Sequence, residues 1–408
     1  TKTLLEVVAG IVDMKFNKVN YCGASNFKGE LSTELTNFRS GRYPMFITNN
    51  SVTRLLDSIP VFSFHSISTD VLKSKLEYLK ENDYRTITTD EYTQRDGKTY
   101  NERIVMLTFD DGPSELWTIG YPLLKKYKMK AVAFIMPGET KNATKPRYTE
   151  ENEMGEIENG DELCAWPELL AMADYIDVQS HSLFHWVIFT SKKLVNFVTP
   201  KVLAQWPKTD LPIPVRDGTD DLSRNFSIGA PMYEMSSRLS DQNRYFEPQV
   251  VRNECELYAK EHGGNLFFND QQWFNRLLKV HNRFEESEPW VIESDEERIE
   301  SIHRCFFESK LLLEEKLQKS VSHFCLPFGI GSRTAMEKAR ETGYSTVHWG
   351  VAPPEFTKEY SETASVGRIK SDYIFRLPGK GRKSLASILA KKTKRRIDFH
   401  LFGKGSTR

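Results

Sequence analysis

The sequence is short of cysteine and of long apolar runs, it carries no net charge, and each shortage excludes a class of protein. Five cysteines, Cys22, Cys164, Cys255, Cys305 and Cys325, are scattered through 408 residues with no CxxC pair. An odd, dispersed set supports neither a disulfide framework nor a zinc ribbon, and it leans towards a reducing compartment. No apolar run reaches the length needed to span a bilayer, and no secretory leader is visible at the start. A cytoplasmic location is therefore the expectation. The chain starts at Thr1 rather than Met, which leaves an exported form with an upstream segment open. Lys plus Arg and Asp plus Glu number 56 each, so bulk charge points to no polyanionic partner, and nucleic acid is not expected. What is present suits a large folded chain: 39% hydrophobic and 27% charged residues, with length for an α/β core and additions.

Along the chain, residues 1–58 form an N-terminal extension without a clear pattern. From Pro60 the texture changes. Residues 60–67 read as a buried strand, and residues 70–82 place Leu72, Leu76 and Leu79 at helical spacing. Residues 84–88 and 103–109 read as strands, residues 115–128 as a helix, and residues 130–136 and 175–180 as further strands. This rhythm of strand and helix means βα units around a parallel sheet. It is lost for roughly a hundred residues after Trp186. A structureless loop of that length is improbable, so residues 187–293 are expected to be an inserted subdomain, with helices near 247–261 and 270–284. The rhythm resumes with a helix over 295–319, capped by Ser294, a strand over 322–328, a helix over 332–342 and a strand over 344–349. Residues 377–408 are a basic C-terminal tail, a solvated helix or frayed end, with loose membrane-surface contact as the alternative.

Two motifs carry chemistry. Thr108, Phe109, Asp110, Asp111 and Gly112 end a buried strand. An Asp-Gly turn accounts for Asp111 and Gly112, but not for two adjacent acids directly after so apolar a strand, where an unpartnered charge is costly. The second motif is His181, Ser182, Leu183, Phe184 and His185. Histidines at i and i+4 lie on one face of a helical turn, close enough to share a metal. An isolated HxxxH pair is more often structural. This one follows a strand, and the C-terminal strand ends of a parallel barrel share one face. Two imidazoles and a carboxylate suit a divalent metal, which lowers the pKa of a bound water and polarises a carbonyl. One aspartate binds the metal and its neighbour is left as general base. Such a site suits amide or ester hydrolysis.

In these motifs, their order and their spacing, the sequence resembles the polysaccharide deacetylases, carbohydrate esterase family four. The resemblance covers about residues 60–186 and 294–376. It implies a distorted (β/α) barrel with fewer than eight strands, here spanning 59–186 and 294–376 and carrying a large insertion. It implies Asp110 as base, with Asp111, His181 and His185 as metal ligands, and removal of acetyl or related acyl groups from amino sugars. A carbohydrate partner and a divalent metal follow, zinc first, with cobalt or nickel as alternatives. The family's third motif is an Arg-x-Pro-aromatic turn. Cys325, Leu326, Pro327, Phe328 and Gly329 stand there, with Pro327 and Phe328 as groove residues but no arginine to tether the base. Arg368 is the candidate substitute. The family's leaving-group histidine has no clear match, and His348 and His65, both at strand ends, are the candidates for the acid. Within the insertion, residues 228–233 and Trp273 are expected to form a lid or substrate wall, or else the subdomain's own core.

The reading is a metal-dependent N-deacylase acting on a polysaccharide or lipid-linked glycan. One rival is a hydrolase of small non-sugar amides, with the insertion closing the groove into a pocket. The other is a glycan-binding protein on an inactive scaffold, motivated by the missing arginine and acid.

Overall fold

The computed structural model describes residues 34, 36–52, 56–147, 163–206, 210, 212 and 227–402, with backbone only for 205 and 396–402. The segment around Leu4 and Cys22, assigned above to the N-terminal extension, lies outside the described residues. The chain divides into two compact units. Among the described residues the first holds 34–184 and 303–402, and the second holds 185–302.

The first unit opens with strands β1 (Val61–Phe64), β2 (Arg85–Ile87), β3 (Ile104–Phe109), β4 (Ala131–Ile135) and β5 (Ile176–Ser180). The chain then runs through the second unit, which carries β6 (Val187–Phe197), β7 (Pro231–Ser237), β8 (Tyr245–Phe246) and β9 (Val291–Ile292). It returns for β10 (His323–Cys325), β11 (Thr346–His348), β12 (Ala364–Val366) and β13 (Ile369–Lys370). All pairing in the first unit's sheet is parallel, in the order β12-β11-β10-β5-β4-β3-β1-β13. Only Gly367 and Arg368 separate β12 from β13. One extended segment, residues 364–370, therefore pairs with β11 by its first half and with β1 by its second. It completes a ring of seven places, a (β/α) barrel short of eight. β2 adds a flank: Met106 of β3 pairs with Val61 on one side and Ile87 on the other.

The residues explain these elements. β3 and β4 are buried along their whole length, as expected of parallel strands covered on both faces, and their near-continuous apolar runs follow from that. Leu72, Leu76 and Leu79 bury one stripe of helix Thr69–Glu81. Ser332 caps helix Arg333–Glu341 by accepting from the Ala335 amide at 3.1 Å. The basic C-terminal stretch is not a loose tail over its described part. It forms helix Leu385–Phe402, in which Lys392 is buried against Glu34 and Tyr373, and Arg395 pairs with Asp372 at 2.9 Å. Arg376, fully buried, donates to the Ile47 carbonyl, so residues 45–49, read as part of an extension, pack on the barrel unit.

In the second unit β6 and β7 form an antiparallel ribbon with register shifts, and β8 pairs with β9. Helices Gln249–Glu261 and Trp273–Phe284 cover a core of Phe197, Val251, Cys255, Ala259, Phe267 and Leu277. Ala230, Met232 and Tyr233 are fully buried in the same unit. Of the two readings of residues 228–233, a lid or substrate wall or the subdomain's own core, the burial supports the core: the small and aromatic side chains there serve the unit's own packing. Trp273 packs on Phe268 and Phe274.

Candidate active site

β3 delivers the first functional group. After Phe109 the chain turns sharply, with Asp111 at φ 68° and Gly112 at φ 67°. An aspartate tolerates this left-handed conformation better than most residues, and a Cβ at Gly112 would also meet Ile135 Cδ1 at 2.4 Å. The turn leaves Asp110 pointing into the barrel, 2% exposed, and Asp111 at its rim.

Arg368, from the two-residue pivot between β12 and β13, holds Asp110. Its Nη1 donates to Oδ1 at 2.6 Å and its Nη2 to Oδ2 at 2.8 Å, a bidentate fork that only arginine provides. Arg368 is itself fixed on three further sides. Nη1 donates to Thr108 Oγ1 at 3.1 Å, Nε donates to the Trp349 carbonyl at 3.1 Å, and the guanidinium lies 5.6 Å from the Phe134 ring centre. Burial pushes the Asp110 carboxyl up, but the charges of Arg368 and then His65 outweigh it and hold the group at about 2.

His65, just past β1, places Nε2 at 3.4 Å from Asp110 Oδ2, with its side chain 61% exposed. It stands at the open mouth of the barrel. His181, just past β5, is buried, and its Nδ1 donates to the Cys325 carbonyl at 2.8 Å. A carbonyl only accepts, so Nδ1 carries the proton and Nε2 faces Asp111 Oδ1 at 3.2 Å. The stretch after His181 is not the helical turn expected from the HxxxH spacing. Ser182 adopts φ 73°, and Leu183 is pinned by hydrogen bonds to Cys305 and Gly138. His185, four residues along the chain, opens the second unit, where its Nδ1 bonds Asp210 Oδ1 at 2.9 Å.

Asp110, His181 and Cys325 each offer one ligand atom, all within 4.8 Å of one another; the two sequence motifs offer a second trio, Asp111, His181 and His185. The second has the donor set that suits zinc. Each imidazole also has Nδ1 engaged by an oxygen, the arrangement that orients Nε2 towards a metal. The first trio is the poorer fit, because the Asp110 oxygens are already held by Arg368.

The remaining predicted residues fall as follows. Pro327 is buried, and Phe328, half-buried, sits in a short turn after β10 at φ 58°, a strained conformation of the kind found at functional sites. His348 is a correction. It is fully buried, its ring packs 4.8 Å from that of Phe134, and burial pushes its pKa well down. An imidazole closed off from solvent is in no position to protonate a leaving group, whereas His65, whose pKa burial also lowers, stands at the open mouth. Sequence reasoning missed Thr108, Asp210 and the Trp349 carbonyl. Thr108 lies two residues before Asp110 in the same motif, whereas Asp210 lies in a stretch with no pattern to mark it.

Comparisons with known proteins cover part of this site. The polysaccharide deacetylase family model matches residues 97–200, which include Asp110, Asp111, His181 and His185. A poly-beta-1,6-N-acetyl-D-glucosamine N-deacetylase of Staphylococcus aureus (strain MSSA476) is 36% identical over 76 residues, 18% of this chain and 26% of the relative. Curated matches of this kind span about a quarter to a third of the relatives' length. Among solved structures, the BpsB deacetylase domain from Bordetella bronchiseptica aligns with TM-score 0.46 and 14% identity, over 78% of this chain and 98% of that one. A de-N-acetylase from Aggregatibacter actinomycetemcomitans aligns with TM-score 0.44 and 14% identity, over 77% and 96%. Over residues 97–200, which hold the paired aspartates and the HxxxH histidines, the chain is similar to the polysaccharide deacetylase family.

Proposed function

We propose that the protein hydrolyses an N-acyl group, acetyl in the first place, from an amino sugar of a polysaccharide or lipid-linked glycan, with a divalent metal held by Asp111, His181 and His185. The observation that carries this reading is the buried Asp110 carboxylate, clamped by Arg368 and set one residue before the carboxylate that meets His181. Zinc is the first expectation and cobalt or nickel the alternatives, since all accept imidazole and carboxylate. When bound, such an ion polarises the acyl carbonyl and acidifies a water.

The chain's own residues do the rest. Asp110 is ionised at neutral pH. Each of its oxygens keeps a lone pair beyond the one given to Arg368, so it can take the proton of the attacking water. Arg368 keeps that carboxylate in one orientation, which lowers the reorganisation needed in the transition state. His65, exposed at the mouth and 3.4 Å from Asp110, is placed to return a proton to the departing amine nitrogen. The half-buried Phe328 offers an apolar face to a sugar ring.

A glycan binder on an inactive scaffold was motivated by the absent arginine of the third motif. The bidentate hold of Arg368 on Asp110 counts against the arginine half of that motive, and the missing acid histidine is the other half. Turnover decides the rest. The purified protein, loaded with zinc, cobalt or nickel in turn, should release acetate from N-acetylglucosamine oligomers. Hydrolysis of small amides with no action on the oligomers would overturn the sugar assignment, and no hydrolysis with any metal would overturn the enzyme.

A further inference from the structure

The barrel interior carries a file of polar side chains that the chemistry above does not use. In the parallel register His323 sits opposite Thr346 and Cys325 opposite His348. Residues two apart on a strand share a face, so His323 and Thr346 form one interior layer and Cys325 and His348 the next. His323, Thr346 and His348 are each at most 1% exposed. Polar groups so placed are costly unless they are hydrogen-bonded, so their connections need an account.

The connections run in one line. Asp90, 71% exposed, meets His323 Nε2 at 2.9 Å. His323 Nδ1 lies 2.8 Å from Thr346 Oγ1, and Thr346 Oγ1 lies 3.1 Å from His348 Nε2. The donor inventory fixes the direction of each bond. An ionised carboxylate only accepts, so His323 Nε2 carries a proton. Burial favours the neutral ring of His323, which makes Nδ1 an acceptor for the Thr346 hydroxyl. The Thr346 oxygen then accepts from His348 Nε2–H. His348 is left with Nδ1 unprotonated, and among the described residues that buried atom has no hydrogen-bond partner. One tautomer of His348 is thus selected from the far end of the barrel.

His348 is joined to the Asp110 clamp in two ways. Its ring lies against Phe134, the ring over which the Arg368 guanidinium is placed. The residue after it, Trp349, supplies the carbonyl that accepts from Arg368 Nε. We propose that His348, aligned by the chain from Asp90 through His323 and Thr346, is a positioning residue for the Arg368–Asp110 pair. A neutral His348 places no second positive charge beside Arg368, so the guanidinium's charge is directed to Asp110. The anchored ring also fixes the end of β11, where the Trp349 carbonyl emerges. The catalytic consequence rests on the deacetylase reading. The positioning itself does not.

The test compares wild type with Thr346→Val, which keeps the side-chain shape and removes the hydroxyl, and with Thr346→Ser, which restores it. The readouts are the ring-nitrogen NMR spectrum of His348, solvent exchange of the Arg368 Nε–H, and kcat, KM and metal content with the acetylated oligomer. The expected wild-type state is a single Nε2–H tautomer of His348 with a slowly exchanging Arg368 Nε–H. In Thr346→Val the tautomer should be lost, the exchange should quicken about tenfold, and kcat should fall about tenfold with KM and metal unchanged, the scale typical of supporting residues. Thr346→Ser should behave as wild type. A wild-type His348 protonated at Nδ1, or a valine variant with unchanged Arg368 exchange, would overturn the proposal. If the spectra behave as expected and wild type releases no acetate, the positioning stands and the deacetylase reading fails.

Discussion

Replacing Arg368 by methionine removes one half of a buried ion pair while keeping much of the side chain's bulk. In the native protein burial raises the Asp110 carboxyl, and Arg368, followed by His65, outweighs burial and brings it to about 2, against an ordinary 3.8. That depression corresponds to roughly 2 kcal/mol. Because the folded-state value is depressed, this stability is fully present above about pH 4 and is lost as pH falls through about 2. In the variant, burial of Asp110 faces little opposition. Its carboxyl should then move above the ordinary range, and the variant should gain stability as pH falls through that raised value. At pH 7 the loss should be about 4 kcal/mol, in the range for orphaning a buried charge. Adding Asp110→Asn removes the orphaned charge and should recover at least half of the loss. The assay is amide hydrogen exchange at the β3 residues of metal-free protein at pH 7, because the two compact units need not unfold together. A loss below about 1 kcal/mol, or a double variant no more stable than Arg368→Met, would refute the reasoning.

Three further outcomes are expected. His65→Gln should lower kcat about 100-fold, the scale for a lost general acid, with metal content unchanged; activity within about twofold of wild type would remove His65 from the mechanism. Lys75 is buried, and burial brings its pKa down to about 8, with a hydrogen bond to Ser371 Oγ at 2.8 Å. Lys75→Met should therefore raise stability at pH 7 by about 2 kcal/mol, the relief of a depressed ammonium less one hydrogen bond. Since the folded state releases this proton first, wild type gains on the variant as pH rises from about 8 to 10.5, and denaturant midpoints across that window check the sign. Ser332→Ala should cost about 1 kcal/mol through the lost cap on Ala335, measured by exchange in helix Arg333–Glu341.

The parts of the fold legible in the sequence were those with strong local patterns. β3, β4 and β5 lie within the apolar runs that predict them, and the helices Gln249–Glu261 and Trp273–Phe284 fall where the insertion's spacing places them. The β6–β7 ribbon was not legible. Its pairing skips register twice, between Phe189 and Leu194 and between Leu194 and Asn196, so neither period shows. The packing of Arg376 and Lys392 was hidden for a different reason: basic residues read as solvated until a carbonyl or carboxylate far along the chain is brought beside them. The same holds at the site. Asp110 and Asp111 announce themselves by adjacency, but the Arg368 clamp depends on a strand that closes a ring 258 residues away, and no spacing rule spans that distance. His348 misled because a strand-end histidine looks the same in sequence whether it faces the mouth or the interior.

The most direct test of the central claim is the metal content of purified wild type beside His181→Ala and Asp111→Ala, with acetate release measured on the same samples. The account predicts about one zinc, cobalt or nickel ion per wild-type chain, and loss of both metal and activity in the two variants. A wild-type protein that takes up none of these ions, or variants that keep both metal and activity, would contradict it.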